Sequence, residues 1–170
     1  MTPQEIAKNL SQSFPDTNFV EGAKLPVTNV TSGEPSIVVP AGKLKEILKV
    51  LKTDTRFSFD CLSSLTAVDR KESFEIVYHL FSYKQKHSVT IKVSLPRDEN
   101  AHVETVEDLW ATANWLEREV YDLFGIKFDG HSDLRRIMLP DDWVGHPLRK
   151  DYNEAEDYHG ISTTRPSLIQ

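Results

Sequence analysis

A single cysteine, Cys61, sets the first limit: one thiol closes no internal disulfide and can hold neither an iron–sulfur cluster nor a Cys-rich zinc site. Long hydrophobic runs are missing as well. Nothing approaches the ~18 apolar residues needed to cross a bilayer, and the segment after Met1 has no apolar signal-peptide core, so a soluble, cytosolic chain is expected. A basic excess is also lacking. The net charge of −6 argues against general nucleic-acid binding, which needs Lys and Arg gathered on one face. Gly125, Gly130 and Gly145 stand in neither GxGxxG nor GxxxxGK[ST] context, so no loop is set up to cradle a phosphate. The six histidines form no HxxH, HxxxH or HExxH spacing. His131 and His146 lie beside turn residues, where stabilising a turn by hydrogen bonding is the simpler role.

What is present suffices for one core. With 39% hydrophobic and 27% charged residues, 170 residues make one globular domain with an appendage. A Thr-Pro start with Ile6 and Leu10 at helical spacing predicts a helix over 2–13. Ile37-Val38-Val39, bracketed by Pro35 and Pro40, reads as a short strand, and Leu44, Ile47, Leu48 and Leu51 mark one face of a Lys-rich helix. Strands follow over Phe59–Val68, Phe74–Tyr83 and Ser88–Leu95. The last alternates Val89, Ile91, Val93 and Leu95 against polar neighbours. Connections of hairpin length, Asp69 to Glu72 and Lys84 to His87, make an antiparallel meander the simplest arrangement. A helix over Val103–Phe124 carries Val106, Leu109, Trp110, Ala113, Leu116, Val120 and Phe124 on one stripe, and Gly125 ends it. The expected fold is α+β: a two-layer domain over 1–125 with a mainly antiparallel sheet covered by helices, then an extended C-terminal docking arm over 126–170. Cys61 is expected buried in its strand, and Trp110 and Trp115 packed within the contacts of the long helix.

The charge is unevenly placed. Residues 1–103 hold 13 basic and 12 acidic side chains, net +1, whereas residues 104–170 hold 7 and 14, net −7. Ten of the first thirteen bases are Lys and five of the last seven are Arg, the side chain favoured in fixed, partly dehydrated ion pairs. Phe128, Trp143 and Tyr152 sit among Arg135, Arg136 and Arg149, so the tail has interface-type composition, and Trp143 is assigned to an interface. Glu117, Arg118, Glu119 and Asp122 fall at i, i+3 and i+4 spacings. An acid–base cluster is conceivable, but no nucleophile or metal set accompanies the carboxylates, and an ion-pair node facing a partner asks for less.

The stretch WLEREVYDLFGIKFDGHSDLRRIMLPDDWVGHPLRKDY resembles, over nearly its whole length, the signature of the 30 kDa (C) subunit family of the proton-pumping NADH:quinone oxidoreductase, respiratory complex I. It combines EREVYDLFGI, GH followed by DLRRI, and PDDWVGHPLRKDY in order, and upstream FDCLSSLTAVDR is similar to the family's sheet. The resemblance covers about residues 36–152. It implies a peripheral-arm α+β protein, on the cytoplasmic side of the inner membrane, that reaches the membrane only through the complex. No flavin, cluster or quinone is its own; FMN and iron–sulfur clusters belong to the partners. The C-terminal segment would wrap the large D subunit, which with the B subunit shapes the quinone pocket. Carried over as signature and contact positions are Glu117, Arg118, Glu119, Asp122, Gly125, Arg135, Arg136, Pro147, Arg149, Lys150, Asp151 and Tyr152, with no catalytic, cofactor or metal residue among them. Ser132 departs from the family, which commonly has Pro after GH, and predicts a looser turn. Ending at Gln170, the chain is expected to carry no fused large subunit. Two other readings stay open: the equivalent subunit of a membrane-bound hydrogenase, and a free-standing soluble enzyme using the Glu117–Asp122 cluster.

Overall fold

The structure, a computed structural model, describes residues 1–20, 23–24, 31–32 and 35–163. Helix α1 (Pro3–Ser13) starts in a capping box: Thr2 Oγ1 accepts from the Glu5 amide, and the Glu5 carboxylate accepts from the Thr2 amide at 2.8 Å. Its Ile6, Ala7 and Leu10 are buried. Strand β1 (Asn18–Val20) follows, then a short antiparallel pair, β2 (Ala23–Lys24) with β3 (Thr31–Ser32), and β4 (Ser36–Val38). A 3-10 turn, Ala41–Lys43, leads into α2 (Leu44–Thr53), whose Leu44, Ile47, Leu48 and Leu51 are fully buried. Strands β5 (Cys61–Asp69), β6 (Ser73–Ser82) and β7 (His87–Pro96) run antiparallel to one another in sequence order. After β8 (His102–Glu104) come α3 (Thr112–Phe124), β9 (Lys127–Asp129), β10 (Asp157–Tyr158) and β11 (Ile161–Ser162).

The main sheet has the order β1-β4-β7-β6-β5. It is mixed: β4 lies parallel to β7, with Ile37 opposite Ile91, while the other pairs are antiparallel. Alternation along β6 and β7 turns Phe74, Ile76, Tyr78 and Leu80 with Val89, Ile91, Val93 and Leu95 into one continuous core that also takes α1, α2 and α3 residues.

Four expectations need correction. The helix expected over Val103–Phe124 begins only at Thr112. Upstream, Val103 pairs across a parallel two-stranded sheet with Phe128, and turns closed by Leu109 N–H and Trp110 N–H on Val106 O carry the chain to α3. Val106, Leu109 and Trp110 are buried all the same, because apolar spacing marks a face and not the hydrogen bonds that present it. The domain does not stop at Gly125 either: Ile126 at 0% and Phe128 at 3% exposure belong to the core. Trp115 is 62% exposed and outside the core, and Cys61 is only partly buried at the start of β5.

Candidate partner-docking site

Gly125 terminates α3 in the left-handed region, φ +74°, and turns the chain back over the helix it has just left. A Cβ there would sit 2.5 Å from His146 Nε2 and 2.7 Å from Arg149 Nη2, so glycine is needed for the close approach as well as for the turn. The returning segment is held by carboxylates at two places.

The first is Asp122, fully buried on α3. Its Oδ2 accepts from three consecutive amides, Ile137 (3.0 Å), Met138 (2.7 Å) and Leu139 (3.0 Å), and its Oδ1 from Arg136 Nη1 at 2.7 Å. Burial alone would raise its pKa. The bonds from Leu139, Met138, Arg136 and Ile137 outweigh that and hold the carboxyl below the usual range. Arg136 donates further to Gly145 O, and His146 Nδ1 bonds Asp122 O at 2.8 Å. The i to i+4 partner suggested by sequence, Arg118, makes no bond to Asp122, and Glu119 is exposed. The partner comes from 14 residues further on instead.

The second anchor is Asp69, at the end of β5. Arg97 grips it with Nε on Oδ1 and Nη2 on Oδ2, both at 2.9 Å, while the Lys71 and Lys150 amides donate at 2.7 and 2.8 Å. The Arg97 side chain is the main reason that this carboxyl lies well below the ordinary range. Arg97 also reaches Asp151 at 2.5 Å. Between the anchors, Leu148 N–H bonds Leu123 O, Arg149 Nε bonds Phe124 O at 2.6 Å, and the Arg149 guanidinium lies 5.3 Å from the centre of the Phe74 ring. Tyr152 closes over Gly145, leaving no room for a Cβ, which would meet its ring at 2.9 Å.

A third network ties α3 to the segment's first turn. Glu117, at 0% exposure, accepts from Thr105 Oγ1 (2.5 Å) and the Val106 amide (2.8 Å), and burial pushes its pKa up to about 7 against the lowering effect of those bonds. His131 accepts the Asp133 amide on Nδ1 and bonds Asn114 O through Nε2. Ser132 does not loosen this turn. Its amide and hydroxyl both donate to Glu107, at 2.8 and 3.0 Å, and a Pro would supply neither bond. Arg118, 5% exposed, donates to Arg135 O and stacks on Trp115 at 4.8 Å.

The signature positions therefore divide. Glu117, Arg118, Asp122, Gly125, Arg136, Arg149 and the Lys150 amide are spent inside the chain, so the ion-pair node expected to face a partner is mostly an internal fastening. Glu119, Arg135, Lys150 and Asp151 are exposed, and Trp143, Pro147 and Tyr152 are half-buried. Sequence reasoning missed Asp69, Arg97 and Glu107: Asp69 and Lys150 are 81 positions apart, and no periodicity links them. Met138 (63%), Val144 (84%), Leu148 (51%) and Ile161 (70%) are large hydrophobic side chains left in solvent on this one segment.

Fold and site define an α+β domain whose C-terminal segment is fastened back onto it by buried carboxylates. The family described as "Respiratory-chain NADH dehydrogenase, 30 Kd subunit" matches residues 37–158, and the chain belongs to it. It is 44% identical over 136 residues to the C subunit of NADH-quinone oxidoreductase from Geobacter sulfurreducens, covering 75% of this chain and 82% of that one. With the protein of the same name from Moorella thermoacetica it shares 43% over 147 residues, 85% and 91% of the two chains. A C/D protein of NADH-quinone oxidoreductase from Nitrosospira multiformis matches 98% of this chain at 37% identity, within 30% of its own length. Among solved structures, a chain of an archaeal respiratory complex, the membrane-bound sulfane sulfur reductase, superposes with a TM-score of 0.70 at 29% identity, covering 88% of this chain and 85% of that one. Among the described residues, no helix is long and apolar enough to cross a membrane.

Proposed function

We propose that the chain is a non-catalytic structural subunit of the peripheral arm of NADH:quinone oxidoreductase, and that its C-terminal segment docks on the large D subunit beside the B subunit. FMN and iron–sulfur clusters lie in the partners, and the protein meets the membrane on its cytoplasmic side through them. The observation that carries this reading is the exposure of Met138, Val144 and Leu148 on the stretch whose two ends the Asp122 and Asp69 carboxylates fasten. Apolar side chains carried on backbone ordered in advance lose less conformational entropy at the moment of contact, and so serve rigidity in the assembly. Electron tunnelling and quinone reduction need pocket walls held to small tolerances, which a fixed support supplies.

The enzyme reading of Glu117 and Asp122 meets a direct obstacle, because both carboxylates are sealed from solvent and bonded to the chain's own donors. The archaeal complex keeps the fold without the NADH-oxidoreductase name, so fold alone does not choose between an NADH enzyme and a hydrogenase-type assembly; identities of 43–44% to NADH-quinone oxidoreductase proteins favour the former.

The test is association of the full-length chain with the purified large subunit. Removing everything after Gly125 would strip Ile126 and Phe128 from the core, so the cleaner perturbation is Met138→Glu with Leu148→Glu, both at exposed positions. The expected result is wild-type folding with association weakened at least about 30-fold, the loss of two buried apolar anchors. Unchanged association would remove the segment from the interface. The isolated chain is expected to show no turnover.

A further inference from the structure

Past Tyr152 the chain closes on itself once more. Asp142 accepts from Tyr158 Oη at 3.1 Å and from His159 Nε2 at 2.6 Å, which seats the Tyr158 ring against Trp143 with centroids 5.2 Å apart. Between these groups lies a pocket of about 110 Å³, lined by Trp143, Tyr152 and Tyr158, by the carboxylate residues Asp142, Glu154 and Asp157, and by Val144, Ala155 and Thr163, with no Lys or Arg in the lining among the described residues. A nucleotide or a quinone needs several hundred Å³, so this space suits the end of one side chain. Trp143 Nε1 is shut off from solvent and has no acceptor among the described residues.

The faces of aromatic rings carry negative quadrupole potential, and neighbouring carboxylates add to it. Asp142 is already bonded to Tyr158 and His159, and Asp157 Oδ1 already accepts the Gly160 amide, but Glu154 has no partner among the described residues. An apolar side chain would leave that field unused, and an acidic one would be repelled.

We infer that this pocket is a cage for one cationic side chain, a lysine or an arginine, presented by the large subunit on which the C-terminal segment docks. The inference rests on the docking reading above and adds its chemical selectivity. The cation lies over the faces of Trp143 and Tyr158, with Glu154 and Asp157 at its end. The net charge of −7 over residues 104–170 draws a basic surface toward it.

The purified large subunit serves as the probe, titrated with full-length chain carrying Trp143→Phe, Trp143→Leu or the pair Glu154→Gln and Asp157→Asn. Melting of each isolated variant checks the fold. Trp143→Leu is expected to weaken association about 30-fold and Trp143→Phe no more than about threefold, because Phe keeps a π face and Leu only bulk. The Glu154/Asp157 pair is expected to weaken it about tenfold and to flatten its salt dependence. Equal effects of Phe and Leu, or wild-type binding by the carboxylate variant, would mean an apolar socket or an empty crevice and overturn the cage. The Met138/Leu148 variant separates the two readings. If it binds like wild type, docking itself fails and the cage with it; if it does not and the cage variants do, only the cage falls.

Discussion

Asp122→Asn tests the central fastening with a change of one atom. The carboxylate accepts three amides on Oδ2 and the Arg136 guanidinium on Oδ1, and Asn keeps only one of the two acceptors. If its carbonyl faces the amides, its NH2 meets Arg136, donor against donor; flipped, the NH2 meets three N–H groups. Hydrogen bonds to a charged group contribute about 1.5–3 kcal/mol each, and stranding a largely buried cation costs about 3–5 kcal/mol. With the Arg136 side chain at 17% exposure, solvent recovers part of that, and about 3 kcal/mol is the expected loss. It falls on the attachment of the segment and not on the core, so it should appear as local opening of about 100-fold greater population. Hydrogen exchange of the Ile137, Met138 and Leu139 amides in the isolated chain reads that population directly. Protection within about threefold of wild type would refute the role given to Asp122. Amides already unprotected in the isolated wild-type chain, and slowed only by adding the large subunit, would refute it more deeply, since the segment would then take its shape on a foreign surface.

Gly125→Ala puts a Cβ into the His146 ring and the Arg149 guanidinium at a left-handed position; neither side chain is free to move away, so a loss of about 2–3 kcal/mol is expected in thermal or urea melts, and less than about 1 kcal/mol would count against the close packing. Glu117 should make stability fall between pH 4.5 and about 7: its folded pKa is raised above the ordinary 4.5, so its contribution is complete below the unfolded value and is lost as pH rises through the folded one, by about 3 kcal/mol. Glu117→Gln should flatten that slope, and parallel melting curves from pH 5 to 8 would contradict it. Asp69 and Asp122 have lowered values, so their contribution is present above the unfolded carboxylate pKa and disappears in acid; the segment around Lys150 should become protease-sensitive below about pH 3 before the sheet melts, which time-resolved cleavage would show. Ser132→Pro, toward the residue common in the family, removes two donors to Glu107 and should cost about 1 kcal/mol in a urea melt despite the stiffer backbone.

Local pattern made α1, α2 and the β5–β7 run legible, because a Thr-Pro start, a 3.6-residue stripe, hairpin-length connections and the alternation of the last strand each reflect forces within a few residues of their origin. The same reading failed at residues 103–111, where the apolar spacing fits a helix equally well and pairing with Phe128, distant in sequence, decides for a strand and turns. It also marked the right stretch, Glu117 to Tyr152, as unusual, from its Arg usage and unperiodic aromatics. Which way those charges face was beyond it. Arg118 and Asp122 are neighbours by spacing, yet Asp122 bonds to residues 136–139, and Asp69 to Arg97 and Lys150. The sequence by itself determined α1, α2 and the β4–β7 strands, the single-core economy and the presence of a special C-terminal stretch. Only the tertiary structure decided that this stretch is fastened to its own domain, since a buried carboxylate takes whichever donors the fold brings within about 3 Å, and sequence separation places no limit on those.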